Sequence, residues 1–209
     1  MAFDFKREFK EYYLPSGKPA IVTIPKMNYL VVKGKGNPNE LDGEYQKAMQ
    51  LLYGIAFTLK MSYKTTYKID GYFEYVVPPL EGFWWIDDYK EFDYSSKDNL
   101  NWLSAIRLPD FIKKSDFEWA IKEATTKKKQ DFSKVEFFHY DEGLYVQCMH
   151  IGSYDDEPST IESLKSYAKE NDYFMDMNST RYHHEIYLSD PRKVKPEMLK
   201  TVIRLPIRK

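Results

Sequence analysis

The sequence has few of the residues that build covalent or metal-bound frameworks. Cys148 is the single cysteine, so no intrachain disulfide can form and a reducing compartment fits. The four histidines, two of them adjacent at His183 and His184, lack the spacing of metal ligands. We therefore expect neither a metal nor a cofactor, and any chemistry must come from carboxylates, aromatic side chains and water.

Long apolar runs and an excess of one charge are missing as well. The N-terminus lacks the apolar run of a signal peptide, and no stretch approaches the roughly 18 apolar residues of a membrane span. The 31 basic side chains nearly balance the 32 acidic ones, so no overall positive field exists to hold nucleic acid through its phosphates. These absences predict a cytoplasmic protein that binds neither membrane nor nucleic acid directly.

What the sequence has in excess is aromatic side chains, at 17% of all residues with 18 tyrosines among them. Tyrosine and tryptophan combine a flat apolar body with a hydrogen-bonding tip, and so suit surfaces that stack on ligands. They also build ordinary cores. The excess favours a ligand-binding cleft without proving one.

Hydrophobic periodicity predicts the elements of the first half of the chain. Residues 1–26 form a lead-in that packs its aromatics on the body, with a short helix at 6–12. An amphipathic helix over 41–59, capped by Asn39, follows a strand over 27–33. Further strands are predicted over 72–77, 83–86 and 102–109, with a polar hairpin or loop over 87–99.

The second half follows a similar plan. A helix runs from Ser115 to about Lys128, with Ser115 as its cap and Glu118 completing a capping box. Strands over 135–140 and 143–151 are predicted to form a hairpin, since Asp141-Glu142-Gly143 is a good turn sequence. Pro158 opens the next helix, and strands over 182–188 and 199–206 complete the pattern.

One tetrapeptide occurs twice, as Ile106-Arg107-Leu108-Pro109 and Ile203-Arg204-Leu205-Pro206. The shared order of elements around it predicts an α+β fold of duplicated β-α-β-β units. Pseudo-twofold symmetry would join the units around a shared concave groove, with Glu81 opposite Glu185. We expect a single domain over residues 1–209, with halves at 27–114 and 115–209.

The stretch from Tyr182 to Arg192 is the first candidate for a ligand site. Strand alternation places Glu185 and Tyr187 on one face and Ile186 and Leu188 on the other. This face is either the polar wall of a pocket or a solvated sheet surface. Trp84 and Trp85 are adjacent, so one faces the groove and one the core, and the pattern does not say which.

The chain resembles the GyrI-like small-molecule-binding domains, which include effector domains of some multidrug-responsive transcription activators. The resemblance rests on His150-Ile151-Gly152-Ser153-Tyr154 entering a helix and on Glu185-Ile186-Tyr187-Leu188-Ser189-Asp190-Pro191. It covers roughly residues 20–209. It implies two β-α-β-β halves around a groove for flat aromatic, often cationic molecules, with Glu185 as the buried counter-charge.

The groove walls expected from this resemblance combine aromatic, acidic and soft apolar side chains. The expected ligand-binding residues are Glu185, Tyr187, Tyr154, Trp84, Trp85, Glu81, Met149 and Tyr182. Residues 1–26 show no helix-turn-helix, so a direct role as a transcription factor is not expected. The segment from Pro78 to Trp85 makes the chain look like a subgroup that hydrolyses cyclopropane-bearing, DNA-alkylating natural products.

Three functions follow as hypotheses. The first and preferred one is a module that sequesters flat hydrophobic or cationic aromatics. The second is a hydrolase in which Glu157 and Glu185 converge on one water, with Tyr187 or Tyr154 orienting the substrate oxygen. Glu157 has an alternative explanation as a helix-dipole position worth about 0.3–1 kcal/mol. The third is an inhibitory partner of another protein.

Overall fold

The computed structural model describes residues 2–87 and 97–209, so the loop expected over 87–99 lies mostly outside the described residues. The strands are β1 (Ala20–Ile24), β2 (Met27–Lys35), β3 (Leu80–Trp85), β4 (Asn101–Leu108), β5 (Glu136–Tyr140), β6 (Gly143–Ile151), β7 (Phe174–Met175), β8 (His183–Tyr187) and β9 (Lys200–Arg208). The α-helices are α1 (Phe5–Glu8), α2 (Lys10–Tyr13), α3 (Glu44–Lys60), α4 (Lys114–Lys128) and α5 (Glu157–Glu170). No described helix is long and apolar enough to cross a membrane.

One antiparallel sheet holds the strands, in the order β1-β6-β9-β8-β3-β4-β2-β5, with the short β7 pairing to β9. This order is symmetric about the central β8–β3 pair. From the centre outward, β8 and β3 are followed by β9 and β4, which carry the repeated tetrapeptide. The next strands, β6 and β2, each precede a helix, α5 or α3, and β1 and β5 lie at the edges. The predicted α+β fold, with duplicated β-α-β-β units and pseudo-twofold symmetry, is therefore confirmed.

Strands β1 and β5 each pair with a strand from the other half of the chain, and the predicted hairpin over 135–151 is wrong. β5 pairs with β2, as in Met27↔Tyr140, whereas β6 pairs with β1, as in Ile24↔Gly143. The short connections at 25–26 and 141–142 thus each lead from one half of the sheet to the other. A turn sequence permits a hairpin but does not require one, and here pairing with a distant strand takes its place.

Several element boundaries differ from the predictions. Strand β1 lies inside the expected lead-in, and residues 72–77 form no strand beyond a single bridge from Tyr75 to Phe3. Helix α3 begins after Gly43 rather than after Asn39. The N-cap of helix α4 is Lys113, two residues before the predicted cap Ser115, and the Asp116 carboxylate accepts a hydrogen bond from the Lys113 backbone N–H at 2.8 Å.

Helices α3 and α5 cover the same face of the sheet. Leu52 of α3 packs against residues of β2 and β4, including Leu30, while Leu164 of α5 packs against Val146 and Ile203 of β6 and β9. Helix α4 packs beside α3 through Ala120. The central strands β3 and β8 lie between α3 and α5, and the space above these strands becomes a groove.

Candidate functional site

A cavity of about 1070 Å³ opens above β3 and β8, between α3 and the start of α5. Its lining combines aromatic, aliphatic and charged side chains from distant parts of the chain. The lining includes Tyr45, Met49, Tyr53, Phe57, Lys60, Pro78, Pro79, Leu80, Trp84, Lys97, Tyr154, Glu157, Glu185, Tyr187, Asp190 and Arg192. The cavity is large enough for a polycyclic ligand.

Helix α3 provides one long wall. Tyr45, Met49, Tyr53, Phe57 and Lys60 line the cavity and recur at intervals of three and four residues. This spacing places them along one face of the helix. The stripe spans about 22 Å at the helical rise of roughly 1.5 Å per residue, so the cavity is an elongated groove.

A hydrogen-bonded chain crosses the floor from β3 to β8. Trp84 Nε1 donates to the Tyr187 hydroxyl at 3.0 Å, and that hydroxyl donates to Glu185 Oε2 at 2.7 Å. The other Glu185 oxygen, Oε1, lies 2.9 Å from His183 Nε2. Both oxygens of Glu185 therefore lie against side chains two positions away on the same strand, and the Tyr187 hydroxyl is hydrogen-bonded to one of them.

Tyr187 is suited to be a neutral donor in this chain. Burial, followed by the nearby charge of Glu185, raises the pKa of Tyr187 well above its ordinary value of 10.0. The phenol consequently keeps its proton throughout the physiological range. It can orient the Glu185 carboxylate or a substrate oxygen without ionising.

Gly82 makes room for this arrangement. It pairs with Glu185 across the β3–β8 ladder. A Cβ atom at Gly82 would lie 2.5 Å from Trp84 Nε1 and 2.9 Å from the Tyr187 hydroxyl. Any side chain here would therefore displace the Trp84–Tyr187 bond, so this close approach requires glycine.

Glu157 is the second carboxylate of the cavity, at the first residue of α5. It is 4% exposed, and its Oε1 atom has no hydrogen-bond partner among the described residues. Burial, and then repulsion from Glu185, raise the pKa of Glu157 well above 4.5, although Lys97 opposes the shift. Glu157 thus keeps its proton to a higher pH than an exposed glutamate.

Aromatic rings enclose the two carboxylates. The Tyr154 ring stands edge-on to Tyr187, with 5.9 Å between the ring centroids, and Tyr45 stacks on Trp84 at 5.3 Å. Burial, and then the charge of Glu157, raise the pKa of Tyr154 to about 12. Of the residues predicted for the site, the structure brings together Trp84, Tyr154, Glu157, Glu185 and Tyr187.

Glu81 does not lie in the groove, contrary to the predicted equivalence with Glu185. The β3–β8 register pairs Glu81 with Ile186, whereas Glu185 pairs with Gly82. A difference of one residue moves a side chain to the opposite face of a sheet. Glu81 is therefore buried on the far face, where the Tyr13 hydroxyl donates to it at 3.3 Å.

Trp85, Tyr182 and Met149 also lie away from the groove. The Trp85 and Tyr182 rings contact each other on the far face, with 4.7 Å between their centroids. Met149 packs on that face as well, against a cluster that includes Phe5 and Tyr13 of the N-terminal segment. Strand alternation thus assigns Trp84 to the groove and Trp85 to the core.

The far face holds a buried ionic cluster that the sequence analysis missed. His184 Nδ1 lies 2.8 Å from Glu142 Oε2, and His184 Nε2 lies 2.9 Å from Glu81 Oε2. Arg204 approaches Glu142 at 3.7 Å and donates to Gln147 at 2.9 Å. The cluster joins β3, β8 and β9 directly beneath the groove floor.

His184 carries a positive charge more readily than an isolated histidine. Burial by itself lowers the pKa of His184, but the carboxylates of Glu142 and Glu81 outweigh this effect and raise it above 6.5. The repeated Arg107 and Arg204 were the available signal, because both lie between apolar strand residues. Glu142, in contrast, was assigned to a turn.

Comparisons with known proteins agree with this architecture. The family model for the GyrI-like small molecule binding domain matches residues 17–208. Two solved structures described as hydrolases from Listeria innocua are each 43% identical, with TM-scores of 0.89 and 0.91. These alignments cover 99% and 100% of this chain and 100% of each relative.

A more distant structure shows the same fold. The C-terminal domain of EcmrR is 14% identical, with a TM-score of 0.58 over 92% of this chain and 98% of that one. No curated protein matches the chain. Since the family model spans nearly its whole length, the chain belongs to the family of GyrI-like small molecule binding domains.

Proposed function

We propose that this protein is a hydrolase that binds a flat aromatic compound in the groove and adds water to an electrophilic carbon of it. The observation that carries the proposal is the pair of carboxylates, Glu157 and Glu185, in unequal environments on one aromatic-lined cavity. Two carboxylates whose environments separate their protonation states can act as acid and base. The hydrolase descriptions of two relatives at 43% identity favour the same reaction class.

Glu185 is the base in this proposal. The hydrogen bond from the Tyr187 hydroxyl fixes the orientation of its carboxylate, and the His183 ring lies against its other oxygen. A carboxylate held in this way can accept a proton from a water in the groove. Glu157, which retains its proton because it is buried near Glu185, is the acid.

For a substrate in which a cyclopropane is joined to a cyclohexadienone through one shared spiro carbon, the reaction needs no reactant besides water. The water oxygen bonds to the cyclopropane CH₂ carbon while Glu185 takes one water proton. The broken C–C bond delivers its electron pair to the ring, which becomes aromatic, and Glu157 protonates the phenolate oxygen. A proton then passes from Glu185 to Glu157 through water, which restores both groups. Tyr154 or Tyr187 orients the oxygen on which charge develops.

Sequestration is the second candidate function, and the same aromatic walls favour it. The rings of Tyr45, Trp84 and Tyr187 line the groove, and they provide apolar surfaces that would hold a planar ligand without chemical change. The two functions differ in turnover. A sequestering protein binds one equivalent, whereas a hydrolase converts an excess. No feature of the described residues favours the third hypothesis, an inhibitory protein partner.

In the deciding experiment, the protein is incubated with a hundredfold molar excess of a spirocyclopropyl-cyclohexadienone that carries a planar aromatic extension. Mass spectrometry would follow the gain of one water. We expect conversion of the excess, with a loss of about 10²–10⁴-fold for Glu185→Gln and for Glu157→Gln. Glu162→Gln is the matched control, since Glu162 lies on α5 but is exposed.

The outcomes separate the two functions. Saturable binding of one equivalent without product would replace hydrolysis by sequestration. Conversion that survives in both Glu185→Gln and Glu157→Gln would refute the assigned roles. If the protein neither binds nor converts this compound, the proposed function is refuted altogether.

A further inference from the structure

The two ends of the groove differ in charge. Glu157, Glu185 and Tyr154 lie near Tyr45, toward the first turn of α3. Lys60 lies at the last turn of α3, about 22 Å from Tyr45 at the helical rise. The carboxylates therefore occupy one end of the groove and Lys60 the other.

Lys6 lies at the same end as Lys60. The Tyr72 hydroxyl donates to the Lys60 backbone oxygen at 2.6 Å, which holds the segment that contains Val76 against the end of α3. Val76 N–H donates in turn to the Phe3 carbonyl at 2.8 Å, which holds the N-terminal segment beside it. These contacts place Lys6 and Lys60 on the lining around Val76.

The charges at the lysine end are not compensated within the described chain. Arg192 pairs with Asp190 at 2.9 Å, and Lys97 pairs with Asp155 at 3.0 Å. In residues 2–87 and 97–209, neither the Lys6 nor the Lys60 ammonium has an ion-pair partner. Lys60 also complements the dipole of α3, but that contribution leaves its ammonium free to pair with a ligand.

At the carboxylate end of the groove, in contrast, little negative charge is left for a cationic ligand to neutralise. Glu185 already has Tyr187 and His183 against its two oxygens. Burial keeps Glu157 protonated to a higher pH than usual, which removes a second negative charge. A neutral group therefore fits this end better than an ammonium.

We infer that the groove selects an elongated planar aromatic compound, neutral at its reacting end and carrying an anionic substituent at the end held by Lys6 and Lys60. This inference rests on the proposed function for the identity of the reacting end. It departs from the cationic ligands that the resemblance implied. An electrostatic preference of this kind discriminates among ligands of the same shape and ring system.

Fluorescence titration with three matched probes tests the inference. The probes are toluidinonaphthalene sulfonate, the same ring system without the sulfonate, and its trimethylammonium analogue. We expect the sulfonate to bind most tightly and the ammonium most weakly. Lys6→Gln and Lys60→Gln should each weaken only the sulfonate, by about two- to fivefold, as expected for partly exposed ion pairs.

Lys47→Gln is the matched control, because Lys47 also lies on α3 but its side chain is 60% exposed and outside the cavity lining. Tighter binding of the ammonium probe, or equal sulfonate affinity in all three variants, would overturn the inference. If the neutral probe binds and the cyclopropane substrate is hydrolysed, such a result leaves the proposed function standing. Failure of all three probes together with absent hydrolysis would overturn both.

Discussion

Replacing Glu157 by glutamine tests the electrostatics of the groove independently of any substrate. Glutamine keeps the size of the side chain and cannot ionise. Glu157 is buried, its Oε1 atom lacks a hydrogen bond among the described residues, and Glu185 repels its charge. We therefore expect Glu157→Gln to stabilise the protein at neutral and alkaline pH, although it removes a group that we assign to catalysis.

The sign and size follow from proton linkage. The folded pKa of Glu157 lies above the unfolded value of 4.5, so between these values the folded chain holds a proton that the unfolded chain has released. The stability of the wild type then falls by roughly 1.4 kcal/mol per pH unit from this group. The advantage of Glu157→Gln should grow with that slope above pH 4.5 and level off above the folded pKa.

Urea unfolding of both proteins at a series of pH values from 4 to 9 measures this difference. Glu162→Gln, on the exposed face of the same helix, should show no comparable slope. Glu185→Gln should shorten the pH range over which this difference grows, because it removes one cause of the raised pKa of Glu157. A difference between wild type and Glu157→Gln that stays constant across this range would refute the raised pKa.

Three further changes probe the groove floor and the cluster beneath it. Tyr187→Phe removes a donor and an acceptor from the buried chain, so we expect a loss of about 1–3 kcal/mol in urea unfolding, and an unchanged midpoint would contradict this. Gly82→Ala would place a Cβ atom 2.5 Å from Trp84 Nε1, so we expect about 1–3 kcal/mol of destabilisation by overpacking. Gly17→Ala is its control, since the nearest atom there would be 3.7 Å away, and equal effects would refute the explanation. His184→Leu leaves two buried carboxylates without their shared cation, so we expect a loss of about 3–5 kcal/mol. Because the pKa of His184 is raised, that loss should be largest below pH 6.5 and shrink as pH rises through the folded pKa, and equal losses at pH 6 and pH 9 would contradict it.

Local patterns were sufficient for most of the elements and for part of the site. A strand has a side-chain period of two, so Glu185 and Tyr187 had to share a face wherever that strand was placed. The repeated tetrapeptide with Arg107 and Arg204 predicted the duplication, and the sheet order confirms it. The shared face depends on residues close in sequence, and the duplication depends on comparing two segments. Both can be predicted without knowing which strands pair in the sheet.

Register and burial required the tertiary structure. Glu81 was misplaced because a one-residue error in comparing the halves reverses the face, and the choice between Trp84 and Trp85 depends on the same pairing. The predicted hairpin is absent because β5 pairs with β2 and β6 pairs with β1, and these partners lie far away in the sequence.

The protonation of the site is also a property of the folded state. Glu157 and Glu185 are 28 positions apart in the sequence, and only the fold buries one near the charge of the other. The same holds for His184, whose two carboxylate partners come from β3 and from the connection between β5 and β6. The sequence by itself determined most of the strands and helices, the duplication and the family. Only the tertiary structure decided which side chains meet, since pKa values and ion pairs depend on distances and desolvation that chain folding creates.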